Sequence, residues 1–475
     1  MKNRNTIFTT IVIAYFGLFP TAEAVVPAPD GGYGPPSYGP GNTAEGQDAL
    51  FSLTANGYWN TALGFEALYH DTSGSINTAT GVRALFSNTG GTYNAAYGYA
   101  ALYDNTTGSF NTACGSVSLA NNTVGVRNTA IGYGALYNNG QSYNTAIGYA
   151  ALYKNEVGPG NTAIGYAALY NSDFGEGNTA TGYAALYSND TTSYNTANGW
   201  RALYSSRSGG GNTATGAESL FSNTAGFGNT ANGFQALFNN LYGPQNTAVG
   251  RDALHQNTNG GGNTAVGVNA LKNNLTGSDN IAVGLSAGFN VTTANNVICI
   301  GRGVLGANTS NSCYISNIFG KTSSGGTAVL VNSAGKLGTI TSSRKFKDEI
   351  KPMGGASEGL LALKPVTFRY KKDIDPGGTS QFGLVAEEVE KVNPDLVVRD
   401  EDGKAYSVRY DQVNAMLLNE FLKDHRTVQE LKSAAAKQEK TITQQQKQIE
   451  ALTTGLQKVS AQIELRKVAP NLVRQ

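Results

Sequence analysis

Ser342 and Lys347, in the run S-S-R-K-F-K-D-E-I (342–350), are a hydroxyl and an amine close enough in sequence to meet locally. A serine hydroxyl is a poor nucleophile until a neighbour takes its proton. The three histidines, His70, His255 and His425, lie far from this run, which leaves a lysine as the base. Lysine serves only if burial or nearby cations depress its pKa from about 10.4. Arg344 and Lys345 offer such repulsion. The spacing S-x-x-x-x-K alone is weak evidence, and its plain alternative is a solvated basic face of Arg344, Lys345 and Lys347. No other constellation in the chain points to covalent chemistry.

The same run is a boundary. The 341 residues before it carry 26 Asp, Glu, Lys or Arg, whereas the last 134 carry 41, so a charge-poor segment meets an ordinary globular composition. At 475 residues the chain exceeds the ~250–300 at which single cores stop growing, so several parts are expected. A net charge of +1 gives no general attraction to nucleic acid or acidic lipid. Cys114, Cys299 and Cys313 are too few and too scattered for a disulfide framework or a zinc site, and they read as buried or free thiols. With the histidines equally scattered, neither a metal nor another cofactor is expected.

Lys2 and Arg4 precede an apolar run at 7–19, followed by Pro20 and Ala22-Glu23-Ala24. This pattern predicts a secretory signal over 1–24, its apolar run at 7–19 being too short for the ~20 residues of a membrane span. Residues 25–41, rich in Pro, Gly and Tyr, read as a flexible leader. The expected mature protein is secreted or on the cell surface, with no integral span.

From Asn42 the phrase N-T-A-x-G recurs with a period of 17, and a leucine follows each glycine by four positions from Leu50 to Leu271. A fixed period of this kind signals stacked coils. In an extended N-T-A-x-G segment, Asn, Ala and Gly share one face, and Thr and the variable residue share the other. The variable slot holds Glu45, Ile131, Thr181 and Asn198, so it should face solvent, while the recurring alanine faces a tight interior. Glycine permits a corner. The following A-L-Y phrase makes a second inward side or a short turn, and stacked asparagines can form a ladder. The fold class expected is mainly β: a parallel β-roll or β-helix over 42–305, on the order of 75 Å long at about 4.8 Å per coil. Thin coils bury little each, so a trimer is the expected way to complete the core. The phrases resemble the N-S-x-A-I-G repeats of trimeric autotransporter adhesin heads, with a longer period.

The 12 acidic residues of the rod, among them Glu66, Asp104, Glu156 and Asp190, do not recur at one repeat position, so paired-carboxylate glycosidase chemistry is unsupported. Tyrosines after the leucine, such as Tyr69, Tyr103, Tyr137, Tyr153, Tyr170, Tyr187 and Tyr204, should form a stripe. It fills grooves between chains or, less readily, stacks on a glycan or host-surface ligand. A threonine column without a regular second threonine argues against ice binding.

After Gly301 the period fails. Three β-like runs, 313–319, 327–332 and 337–341, form an expected neck over 306–341. Four blocks then follow in order: S-S-R-K-F-K-D-E-I, L-A-L-K-P-V-T-F-R-Y-K (361–371), F-G-L-V-A-E-E-V (382–389) and Y-S-V-R-Y-D (406–411). Together they resemble the C-terminal intramolecular chaperone autoprotease of phage endosialidase tailspikes and related tail fibres, over about 342–432. The resemblance implies an α+β domain, here 342–427, that trimerises, guides folding of the preceding fibre and cuts itself off. Carried onto this chain, it implies Ser342 as nucleophile, Lys347 as base and Thr341–Ser342 as the cut bond. Phage members often carry Asp after the first serine, where this chain has Ser343. Because Ser342 directly follows the target carbonyl, its oxygen can attack through a small ring, and water then finishes the cleavage.

From Val428 a heptad seam runs through Val428, Ala435, Ile442, Ile449, Leu456 and Ile463, paired with Leu431, Gln438, Gln445, Leu452 and Val459. This predicts a parallel coiled coil over 428–467 and a tail over 468–475. Branched residues at the first seam position with leucine at the second favour two strands, so the trimer rests on the resemblances and the rod. The expected function is an exported trimeric fibre or adhesin with a self-cleaving C-terminal chaperone. The alternatives are a phage or prophage tail fibre, or a surface fibre with a permanent, non-cleaving trimerisation cap.

Overall fold

The computed structural model describes residues 41–468. They divide into two compact units, the first ending at Lys321 and the second beginning at Thr322. The signal expected at 1–24, the leader before Gly41 and the tail after Val468 lie outside the described residues.

In the first unit a 17-stranded sheet runs from Thr43–Glu45 to Ser312–Ile315. Neighbours pair in parallel and like with like, for example Thr162 with Thr179 and Ala163 with Ala180. Each N-T-A-x-G phrase contributes one strand, so this is the parallel solenoid that the repeat predicts. Strand alternation sorts the phrase as expected. The central alanines from Ala62 to Ala282 are fully buried, and Ile131 in the variable slot is 41 % exposed. The strand Ser312–Ile315 lies beyond the loss of period, yet it pairs with Val297–Ile300, because this coil is shorter, with Ile298 opposite Cys313. All three cysteines are free.

The corner and turn carry the backbone cost. Gly165 has φ 135°, and a Cβ there would lie 2.4 Å from the carbonyl oxygen of Gly182 in the next coil. Two consecutive residues after the corner, Ala168 and Leu169, are both fully buried. An extended chain would send them to opposite sides, and Leu169 avoids that with φ 51°. A left-handed non-glycine residue costs roughly 1–2 kcal/mol. Complete burial of a leucine returns about 1.5–3 kcal/mol, so burial wins by a small margin. The same conformation repeats at every such leucine from Leu50 to Leu271.

Buried asparagines close the coils. Asn161 Oδ1 accepts from the Asn178 backbone N–H at 2.9 Å, and Asn161 Nδ2 donates to the Gly175 carbonyl at 2.7 Å. A second ladder lies three residues after the leucine: Asn105 donates to Asn88, Asn122 to Asn105 and Asn139 to Asn122 at 2.9–3.0 Å. The equivalent positions in the outer coils are apolar and buried, Leu53 and Val291. Outside, the stripe after the leucine stacks ring on ring, with Tyr153 and Tyr170 centroids 5.1 Å apart and planes within 4°.

The second unit starts with a hairpin, Val329–Val331 paired antiparallel with Leu337–Thr339. Two further antiparallel pairs follow, Val366–Phe368 with Gln381–Gly383 and Val397–Arg399 with Ala405–Val408. A short helix, Ala386–Val392, and a long one, Tyr410–Val468, complete it. The long helix begins well ahead of the heptad seam. The core here is small: Val389, Leu396, Val397, Val408, Val413 and Met416. Among the described residues no helix is long and apolar enough to cross a membrane.

Candidate functional site

The run containing Ser342 follows directly from the hairpin. Asn332 and Gly335 close its turn, Lys336 N–H donating to Asn332 Oδ1 at 2.9 Å, and the returning strand ends at Thr339. Strand residues Gly338 and Thr339, with Ile340, line a groove whose other wall includes Val397, Arg399 and Arg409. Arg399 is held there by Glu390 at 2.6 Å. The Thr341–Ser342 bond comes next in sequence after Ile340, on exposed chain.

A single 3-10 turn, Arg344–Phe346, separates the two candidate catalytic side chains. Ser343 is its cap, accepting at its carbonyl from Phe346 N–H at 3.1 Å, and Lys347 N–H closes the turn on the Arg344 carbonyl at 3.1 Å. Lys345 is turned over the Phe346 ring, its Nζ 4.7 Å from the centroid. Ser342 and Lys347 are both exposed and share no hydrogen bond among the described residues. The turn thus places the two on one short segment without joining them in the single chain. Exposure runs unbroken from Lys321 to Ala356.

What anchors this segment is a polar clamp further on. The 3-10 helix Gly354–Ala362 puts Ser357 against the long helix, where it is fully buried. Asn419 Nδ2 donates to Ser357 Oγ at 2.6 Å and to the Gly354 carbonyl at 3.1 Å. Ser357 in turn donates to Glu420 Oε1, and Lys423 Nζ reaches that same oxygen at 2.8 Å and Glu358 at 3.3 Å. Hydrogen bonds from Lys423 and Ser357 hold the Glu420 carboxyl below its ordinary pKa. The clamp escapes a sequence reading because its partners lie more than sixty positions apart. Tyr410 makes a second tie, its Oη accepting from Leu384 N–H at 3.0 Å.

The later three sequence blocks therefore form hairpins and a short helix leading into the long helix, while the block 342–350 stays exposed. Leu361–Lys371 and Phe382–Val389 supply the strands Val366–Phe368 and Gln381–Gly383 with the short helix, and Tyr406–Asp411 runs from a strand into the long helix. Among the described residues no group of His, Cys, Asp and Glu could hold a metal ion. No curated protein matches the chain. The first three blocks lie inside, and Tyr406–Asp411 lies outside, a segment that is similar to a known family: residues 342–398 match the model described as chaperone of endosialidase.

Proposed function

We propose that the C-terminal region is a trimerisation chaperone for an exported fibre whose shaft is the repeat solenoid, and that it then detaches by cutting Thr341–Ser342. The observation that carries this reading is the apolar surface that the C-terminal unit leaves open. Val329, Val331, Leu337 and Ile340 on the hairpin are 52–66 % exposed, and so are Leu431, Ile442, Ile449 and Val459 on the seam, at 54–63 %. A core of six residues is too small to balance such exposure in a lone chain, and an isolated hairpin is marginal in water. Copies of the same chain, joined along the seam, cover both surfaces. The match at 342–398 supports the same reading.

In this reading cleavage waits for assembly. Packing of partner chains over the run takes Lys347 out of water and brings its amine against Ser342, the setting a lysine base needs. Ser342 Oγ attacks the Thr341 carbonyl carbon and gives its proton to Lys347 Nζ, which passes it to the Ser342 nitrogen as the C–N bond breaks and the acyl group moves to oxygen. Water then hydrolyses the ester, leaving a Thr341 carboxylate and a free Ser342 amine. The shaft that remains serves contact with other surfaces.

Intact mass measurement of the full chain tests this. A fragment beginning at Ser342 is expected, lost in Ser342→Ala and Lys347→Ala and kept in Ser343→Ala. Cutting at the same bond in Ser342→Ala would exclude the serine mechanism. The second reading, a permanent trimerisation cap, is favoured by the unjoined Ser342 and Lys347 of the single chain. Trimers made only of uncut chains would establish it.

A further inference from the structure

We infer that one edge of the solenoid, formed by the variable slot and the residue after each corner glycine between Ile131 and Tyr183, is the surface along which the copies of this chain pack. The inference rests on the trimer reading above and assigns its interface. Along this edge Ile131 and Ile164 are 41 % and 39 % exposed, and Tyr133, Tyr149, Tyr166 and Tyr183 are 49–53 % exposed. From Ile131 to Ala184 no charged residue occupies the variable slot or the two positions after the glycine, which are Tyr-Gly, then Tyr-Ala three times. Outside that stretch the second position after the glycine is charged in several coils and tied across coils: Arg83 to Glu66 at 2.6 Å, Arg201 to Glu218 at 3.5 Å, and Asp252 at 3.3 Å to Lys272, which follows the leucine of the next coil.

The area is sufficient. A half-exposed tyrosine offers about 100 Å², so the four tyrosines with the isoleucines present roughly 600 Å² per copy. That sits at the upper end of a monomer's largest apolar patch, and two such faces together pass the ~1,000 Å² expected of a specific interface. Ring geometry argues against a sugar as occupant. Tyr133, Tyr149, Tyr166 and Tyr183 stack on one another with centroids 5.0–5.2 Å apart and planes within 12°, so their faces are occupied and only edges remain. A row of edges repeating once per coil fits another row with the same repeat, and a second copy carries one. Parallel alignment of copies follows from the heptad seam in the same chain.

Cysteine crosslinking of the full chain tests the assignment. Exposed Cys114 and Cys313 are first changed to serine, and Ser342→Ala keeps the helix attached whether or not the native chain is cut. Into this background go Tyr149→Cys or Ile164→Cys on the edge, Thr191→Cys on another part of the rod, and Leu452→Cys on the seam. With a short thiol crosslinker, the edge and seam variants should give covalent dimers and trimers, and Thr191→Cys should stay monomeric. Crosslinking on the seam without crosslinking on the edge, or equal crosslinking at Thr191→Cys, overturns the interface and leaves the trimer standing. No crosslinking at either edge or seam overturns both.

Discussion

Asn88 donates from Nδ2 to Oδ1 of Asp71 at 3.2 Å, which sets a carboxylate on a ladder otherwise made of asparagine and serine. Gly74 N–H also donates to Oδ1, while Oδ2 is buried without a partner. The equivalent residue one coil earlier is Leu53, which has no donor to give. In later coils the matching atom is an amide nitrogen donating to a glycine carbonyl, as Asn105 Nδ2 does to Gly108 at 3.0 Å. Asp71 is the acidic counterpart of that amide, and only its protonated form can donate there.

Burial accordingly raises the Asp71 carboxyl from 3.8 to about 7. The folded state holds this proton more tightly than the unfolded chain, so the contribution to stability is complete below about pH 4 and is lost as pH rises through about 7. Asp71→Asn removes the dependence and should gain a few kcal/mol at pH 8, with about 4 as the upper limit from the conversion of the pKa difference. Thermal unfolding of both proteins at pH 5 and pH 8 checks this. The melting temperatures should separate at the higher pH, with the variant above the native chain.

The corner glycines give a paired test. Gly165→Ala must hold φ 135° and place a Cβ 2.4 Å from the Gly182 carbonyl oxygen, whereas Gly160 has φ 70° and nothing within 4 Å. The first change should cost at least about 3 kcal/mol, through strain and collision with backbone that cannot swing away. The second should cost about 1 kcal/mol, the price of a left-handed alanine alone. Urea midpoints of the two variants should differ in that order. Equal midpoints would mean that the coil relaxes around the added methyl.

How much of this was legible in the sequence depended on how local the cause is. The strand is legible because alternation acts between neighbours, so the fixed alanine and the tolerant slot beside it already separate inside from outside. The first asparagine ladder follows from the same alternation. The second does not. Asn105, Asn122 and Asn139 stand in Gly-, Ser- and Thr-rich stretches that read as solvated loops, and only closure of the coil encloses them. Left-handed leucines are hidden for a related reason, since no local preference favours Leu169 at positive φ and the gain arises only with burial. In the C-terminal unit Ser342 and Lys347 were legible as residue types, and both stand exposed in the single chain. Ser357 was not legible at all.

The clamp at Ser357 predicts a local effect. Ser357→Ala leaves Asn419 Nδ2 with only the Gly354 carbonyl and Glu420 with only Lys423, at a cost of about 0.5–1.5 kcal/mol for the lost Asn419 hydrogen bond. Hydrogen exchange should quicken in Gly354–Ala362 and in the helix around Asn419, with the solenoid unchanged. Glu420→Gln should be milder, because the amide oxygen can still accept from Ser357. Uniform loss of protection across both units would place the clamp in the global core instead.

The seam makes the last prediction. Val428, Leu431, Ile442, Ile449, Leu452, Leu456, Val459 and Ile463 are all exposed on the helix of a single chain, and the two glutamines, Gln438 and Gln445, sit at seam positions between them. A polar residue in a seam lowers stability and in exchange fixes register and the number of strands. Gln438→Leu with Gln445→Leu should therefore raise the melting temperature of the assembled full chain in a Ser342→Ala background, and should broaden its distribution of masses in sedimentation velocity. A higher melting temperature with a single unchanged mass would assign register to the rest of the seam. No change in either would show that these glutamines face solvent in the assembly, which a heptad read from Val428 to Ile463 does not allow.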